Sequence, residues 1–148
     1  MFSRMASERI AVASDHAGVG LKSVVAETLG ELGYEVLDLG TDGPESVDYP
    51  DFADKLAMAL EAGGAARGVL VCGTGIGISI AANRHRHVRA ARCCNATDAR
   101  LSREHNDANV LVLGARTIGP ETAKDCVRTF MQTAFEGGRH QRRVDKMS

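Results

Sequence analysis

Apolar and polar positions along this chain fall into alternating blocks. Ile10-Ala-Val-Ala-Ser14 is a short apolar run that predicts a strand. From Leu21 to Leu32 the apolar residues Leu21, Val24, Val25, Leu29 and Leu32 recur at helical spacing, and Gly33 ends the helix. Tyr34-Glu-Val-Leu-Asp-Leu39 is more amphipathic and predicts a second strand, nearer a sheet edge. Gly40 to Pro50, with two prolines, reads as a loop. Asp51 to Ala62 predicts a helix with Phe52, Leu56, Ala59 and Leu60 inward. Gly68 to Cys72, Ala90 to Cys94 and Val110 to Leu113 predict three further strands. A helix start at Ile78 to Ala82 and a short helix at Thr97 to His105 lie between them. Pro120 suits a helix start, the last helix runs to about Phe135, and Gly137-Gly138 separates it from a basic tail.

Strands of buried type alternating with helices predict a parallel sheet covered on both faces. The expected fold is α/β: a Rossmann-like three-layer sandwich with a central five-stranded parallel sheet and a C-terminal helical tail. A single domain is expected over 8–148, with 1–7 as a disordered N-terminal extension. Sheets of this kind bind ligands at the carboxyl ends of their strands, near the topological switch point. Asp15-His16 follows the first strand, Cys72 the third and Arg116 the fifth, while His105 ends a helix. These groups are expected to share one rim.

Between the third strand and the next helix lies Cys72-Gly-Thr-Gly-Ile-Gly77. A helix start offers unpaired N–H groups and partial positive charge, and glycines let a ligand approach the backbone. The turn is therefore a candidate anion cradle or a tight structural turn. It is not a dinucleotide fingerprint, whose last glycine is replaced by Ile78, nor a Walker loop, whose lysine is missing. A cysteine phosphatase would need arginine at 78. Packing accounts for a cysteine at a strand end. Open access and the helix start add a chemical reading for Cys72, as a thiol whose pKa such a site can lower. Asp15 and His16 can satisfy a turn or hold a sugar or phosphate. His105 can cap a helix or act as acid or base. Arg139 and Arg143 share a face if the tail is helical, and paired arginines grip phosphate; otherwise the tail is a solvated basic terminus.

Bulk properties narrow the classes. A chain of 148 residues buries enough surface to fold without disulfide or metal. A net charge of −1 and 4% aromatics, with no tryptophan, argue against nucleic-acid binding. The four cysteines, Cys72, Cys93, Cys94 and Cys126, form no C-x-x-C pair, which suits free thiols in a reducing cytoplasm. No signal peptide opens the sequence and no apolar run approaches the roughly 20 residues of a membrane span.

Taken together, Ser14-Asp-His-Ala-Gly18, Asp48-Tyr-Pro50, Cys72-Gly-Thr-Gly-Ile-Gly-Ile-Ser-Ile-Ala-Ala-Asn83, Leu101-Ser-Arg-Glu-His-Asn-Asp-Ala-Asn-Val110, Gly114-Ala-Arg116 and Glu136-Gly-Gly-Arg-His-Gln-Arg-Arg143 resemble the type B ribose-5-phosphate isomerases. That family also holds galactose-6-phosphate and allose-6-phosphate isomerases. The resemblance implies a cofactor-free, metal-free aldose–ketose isomerase of ribose 5-phosphate and ribulose 5-phosphate. A six-carbon sugar phosphate is the alternative substrate, and a non-catalytic nucleotide- or phosphate-binding module is the alternative role. It implies a homodimer or dimer of dimers with active sites shared between subunits, and no nucleic-acid or membrane partner. Cys72 would be the base acting between C2 and C1, Thr74 would assist proton movement at the oxygens, and His105 would open the sugar ring. Asp15, Tyr49 and Asn106 would contact the sugar, and His16, Arg116, Arg139 and Arg143 the phosphate. The amides of Gly73, Gly75 and Gly77 are expected to stabilise an enediolate oxygen.

Overall fold

Five strands, β1 (Arg9–Ser14), β2 (Glu35–Asp38), β3 (Arg67–Cys72), β4 (Ala90–Arg92) and β5 (Val110–Gly114), form one parallel sheet in the order β2-β1-β3-β5-β4. The computed structural model describes residues 7–148, so the expected N-terminal extension lies outside them apart from the exposed Ser7. Among the described residues six α-helices accompany the sheet, besides a short 3-10 turn at His16–Gly18: α1 (Val19–Glu31), α2 (Tyr49–Glu61), α3 (Ile76–Ala82), α4 (Ala96–Asn106), α5 (Pro120–Gln132) and α6 (Arg139–Met147). The Rossmann-like architecture expected from the alternation is the one found.

The three central strands are aliphatic on both sides because both faces are covered. Ile10, Val12, Val69, Val71, Leu111 and Leu113 pack with α1, α4 and α5, where Val25, Ala99 and Phe130 meet them. The alternate residues Ala11, Ala13, Leu70, Val110 and Val112 pack with Phe52 and Leu56 of α2 and Ile78 of α3. The pairings Val12↔Val69 and Val69↔Leu111 hold this layering in register. A slip of one residue would exchange the two faces. β2, the more amphipathic strand, is half-buried at an edge as expected.

Several boundaries differ from the expectation. α2 begins at Tyr49 because Pro50 occupies its first turn, where a missing N–H costs nothing. α3 begins at Ile76, and β4 stops at Arg92. The C-terminal tail is a true helix, held by the inward His140 and Val144, one turn apart.

From β1 the chain moves outward to β2 and then returns to the other side of β1 as β3. The strand order reverses there, which opens a crevice at the carboxyl ends of β1 and β3.

Candidate active site

A pocket of about 590 Å³ fills that crevice. Asp15 and His16 line it from the end of β1, Cys72 from the end of β3, Thr74 from the loop after it, Tyr49 from α2, and Arg116 from the loop after β5. Asp15 is 7% exposed, and its Oδ1 accepts from the amides of Ala17 and Gly18 at 3.0 and 3.1 Å. One carboxylate oxygen is thus spent on the turn, as the simpler sequence reading had it, while the residue still borders the pocket. His16 Nδ1 accepts from the Val47 amide at 3.1 Å. In the neutral ring the proton then sits on Nε2, the nitrogen left for a ligand.

Cys72 closes β3 and is 4% exposed. The Gly75 amide donates to its Sγ at 3.1 Å, and the Ile76 amide donates to Thr74 Oγ1 at 3.1 Å. Gly75 has φ +78°, which a side chain strains, and it is the residue from which α3 starts. The Gly75 amide, expected to face a substrate oxygen, donates to the thiol in this arrangement. Gly73 and Gly77 do line the pocket, and among the described residues neither amide meets an acceptor. At Gly77 a Cβ would stand 2.5 Å from Tyr49 Cζ, so glycine there lets the tyrosine lie against the loop. Arg116 lies over the loop from the other side. Its amide donates to the Gly73 carbonyl at 2.8 Å, and its guanidinium carbon is 3.7 Å from where a Gly73 Cβ would be.

His105, Asn106, Arg139 and Arg143 are not on this rim. α4 starts beyond the carboxyl end of β4 and runs back for 11 residues to the start of β5. That is about 16 Å of travel. His105 and Asn106 therefore sit at the amino edge of the sheet, which corrects the expectation of one shared rim. Asn106 borders a separate pocket of about 380 Å³ with Asn83, Arg89 and Met147. The His105 ring stacks on His140 of α6, centroids 4.3 Å apart and planes 15° from parallel. Arg139 and Arg143 are both exposed and one turn apart, and among the described residues neither pairs with a carboxylate.

His105, His140 and Glu136 bring their ligating atoms within 4.8 Å of one another, the grouping among the described residues that comes nearest to a metal set. Lone pairs of nearly parallel rings run side by side and do not converge, so the geometry is that of ring stacking.

Only 8% of His140 meets solvent, and loss of hydration, then the positive neighbours His105 and Arg139, push its imidazole below the ordinary histidine range. The cover comes from the stacked ring and the adjoining helix more than from depth in the core. A lowered folded value means that the folded chain binds fewer protons than the unfolded chain in this window. Stability is then complete above the unfolded value near 6.5 and is lost as pH falls through the folded value. Protection factors of the α6 amides, taken after correction for the intrinsic exchange rate at each pH, are expected to fall on acidification below about pH 6.5, and His140→Asn to flatten that dependence. Protection factors in α6 insensitive to pH in the unaltered chain would remove this role.

Two buried thiols are chemically quiet. Burial pushes Cys93 up to about 12 and Cys126 to about 11. One group at the rim was not read from the sequence: Arg92, which ends β4 and donates from Nε to the Thr74 carbonyl at 2.7 Å. Its signal was a charge inside the otherwise apolar stretch Ala90 to Cys94.

The model of the ribose/galactose isomerase family matches residues 10–147. Ribose-5-phosphate isomerase B of Escherichia coli is 45% identical over 141 residues, 95% of this chain and 95% of that protein. D-erythrulose-4-phosphate isomerase of Pectobacterium atrosepticum is 41% identical over 139 residues, 93% of this chain and 91% of that one. The structure of ribose-5-phosphate isomerase B from Clostridium thermocellum superposes with a TM-score of 0.92 at 53% identity, covering 94% of each chain.

Proposed function

The chain belongs to the ribose/galactose isomerase family, and on that footing we propose that it interconverts D-ribose 5-phosphate and D-ribulose 5-phosphate through an enediolate. The observation that carries this reading is Cys72. Its thiol lines the crevice at the carboxyl ends of β1 and β3, and the Gly75 amide donates a hydrogen bond to the sulfur.

In the forward direction the Cys72 thiolate removes the proton on C2 of the open-chain aldose. The electron pair moves through the C1–C2 bond to the carbonyl oxygen on C1. The thiol then returns the proton to C1 as the oxygen on C2 becomes the ketone. Charge on the oxygens is met by the free amides of Gly73 and Gly77, each such donor being worth about 3 kcal/mol. Thr74 passes protons between the oxygens. Asp15 and Tyr49 orient hydroxyls, and His16 and Arg116 add donors for the phosphate end. A base this close to the reacting carbon gains from a substrate fixed at its far end.

His105, Asn106, Arg139 and Arg143 cannot reach Cys72 of their own chain, because they lie at the other edge of the sheet. In this reading a second copy supplies them: His105 for ring opening, Asn106 for a sugar hydroxyl and the two arginines for phosphate. The working unit is then a homodimer, or a dimer of dimers. The whole of 8–148 acts as one sugar-phosphate isomerase domain in the cytoplasm, with no metal or organic cofactor. Among the described residues no helix is long and apolar enough to cross a membrane.

The erythrulose-phosphate relative favours weighing chain length directly. These sugar phosphates differ by one CHOH unit, and a methylene alone changes kcat/KM by about 10- to 200-fold. A coupled assay should therefore give ribose 5-phosphate a kcat/KM at least ~10-fold above erythrulose 4-phosphate, allose 6-phosphate and galactose 6-phosphate. An equal or better four- or six-carbon substrate would overturn the assignment.

A further inference from the structure

The peptide unit joining Thr74 to Gly75 is hydrogen-bonded at both of its ends. Its carbonyl accepts from Arg92 Nε at 2.7 Å, and its N–H donates to Cys72 Sγ at 3.1 Å. Arg92 ends the edge strand β4, and β5 lies between that strand and β3. The side chain reaches the loop past Gly114, the last residue of β5. A Cβ on Gly114 would stand 2.5 Å from the same Thr74 carbonyl oxygen. The carbonyl is therefore packed against β5 and capped by a cation.

Hydrogen bonds in series polarise one another, and a bond from a cation is stronger than one from a neutral donor. A guanidinium on the carbonyl makes the N–H of the same peptide a better donor. That N–H points at the sulfur. We propose that Arg92 is a positioning residue for Cys72, fixing and polarising the Thr74–Gly75 peptide so that its amide holds the thiolate. The effect on turnover rests on Cys72 being the base; the effect on the thiol does not. Arg92 does not line the pocket, so substrate contacts are not involved. The other charged or titratable groups around the sulfur are Asp15 and His16 beyond β1, Tyr49 of α2 and Arg116 after β5. They remain when Arg92 is changed, so the loss is partial.

Two substitutions separate donor from charge. Glutamine carries a neutral N–H donor the same number of bonds from the backbone as arginine Nε. Methionine keeps the bulk and carries no donor. Two measurements are made on the full chain: the pH profile of iodoacetamide alkylation at Cys72, followed by peptide mass spectrometry to separate it from the half-buried Cys94, and kcat and KM with ribose 5-phosphate. Arg92→Met is expected to slow neutral-pH alkylation and kcat about fivefold, move the alkylation profile to higher pH and leave KM within about twofold. Arg92→Gln should fall between Met and the unaltered chain. An Arg92→Met profile superimposable on the unaltered one overturns the proposal. So does a loss confined to KM, which would make Arg92 a phosphate contact, and so do equal losses for Gln and Met, which would leave only long-range charge. A shifted alkylation profile with unchanged kcat upholds the link from Arg92 to Cys72 and rejects Cys72 as the base.

Discussion

Cys72→Ala is expected to lower kcat by ~10³-fold or more, the range spanned by loss of a positioned base, while the chain still folds and still binds sugar phosphate. Truncation removes one sulfur from a site that is 4% exposed and leaves the Gly75 amide without its acceptor. Together these cost about 1–3 kcal/mol, or roughly 2–4 °C of melting temperature per kcal/mol at this chain length. The groups assigned to the phosphate are untouched, so binding measured by calorimetry should stay within a few-fold of the unaltered chain. Cys72→Ser sharpens the test. A serine hydroxyl can still accept from Gly75, so the loop keeps its geometry, but it is not a base near neutral pH. No carboxylate lies further along the loop to take over, since Ile76, Gly77 and Ile78 follow. Serine should therefore be as inactive as alanine and more stable. Near-normal turnover in either variant would move the proton transfer to another residue.

What the sequence disclosed follows from which features carry a local signal. β1, β3 and β5 are buried on both faces, and runs such as Val69-Leu-Val71 carry that signature in any register. The rim residues were legible because a parallel α/β chain places whatever follows a strand at the carboxyl edge. The same rule places whatever precedes a strand at the amino edge. It assigned His105 and Asn106 to the far side all along, since Val110 opens β5 just after them. Chain direction therefore excludes the shared rim expected for His105. The destination of the Gly75 amide was not legible, because it depends on how the loop folds back over the end of its own strand. Nor was the contact of Arg92 with Thr74, which links residues 18 apart in sequence across the intervening strand β5. α6 carries few apolar residues, and only the pair His140 and Val144 marks its inner face.

Mixing two inactive chains is expected to restore activity. One carries Cys72→Ala; the other carries Arg139→Ala with Arg143→Ala. The second should show KM raised by ~100-fold or more, since each arginine–phosphate bond is worth about 1.5–3 kcal/mol. In this chain the thiol lies at the carboxyl edge and α6 packs against α4 on the opposite side, with both guanidiniums exposed and unpaired among the described residues. Each isologous dimer would hold two sites, each built from the rim of one copy and the helix α6 of the other. A hybrid dimer then contains one doubly altered site and one with every group intact. Random reassociation makes half the dimers hybrids, so the mixture should recover about a quarter of full activity at substrate levels below the normal KM. If instead each chain built its own site, every site in the hybrid would carry one defect, and the mixture would stay as inactive as its parts. Recovery near a quarter is thus a count of shared sites. It depends on where His105 and the arginines act and not on how strongly any one of them contributes.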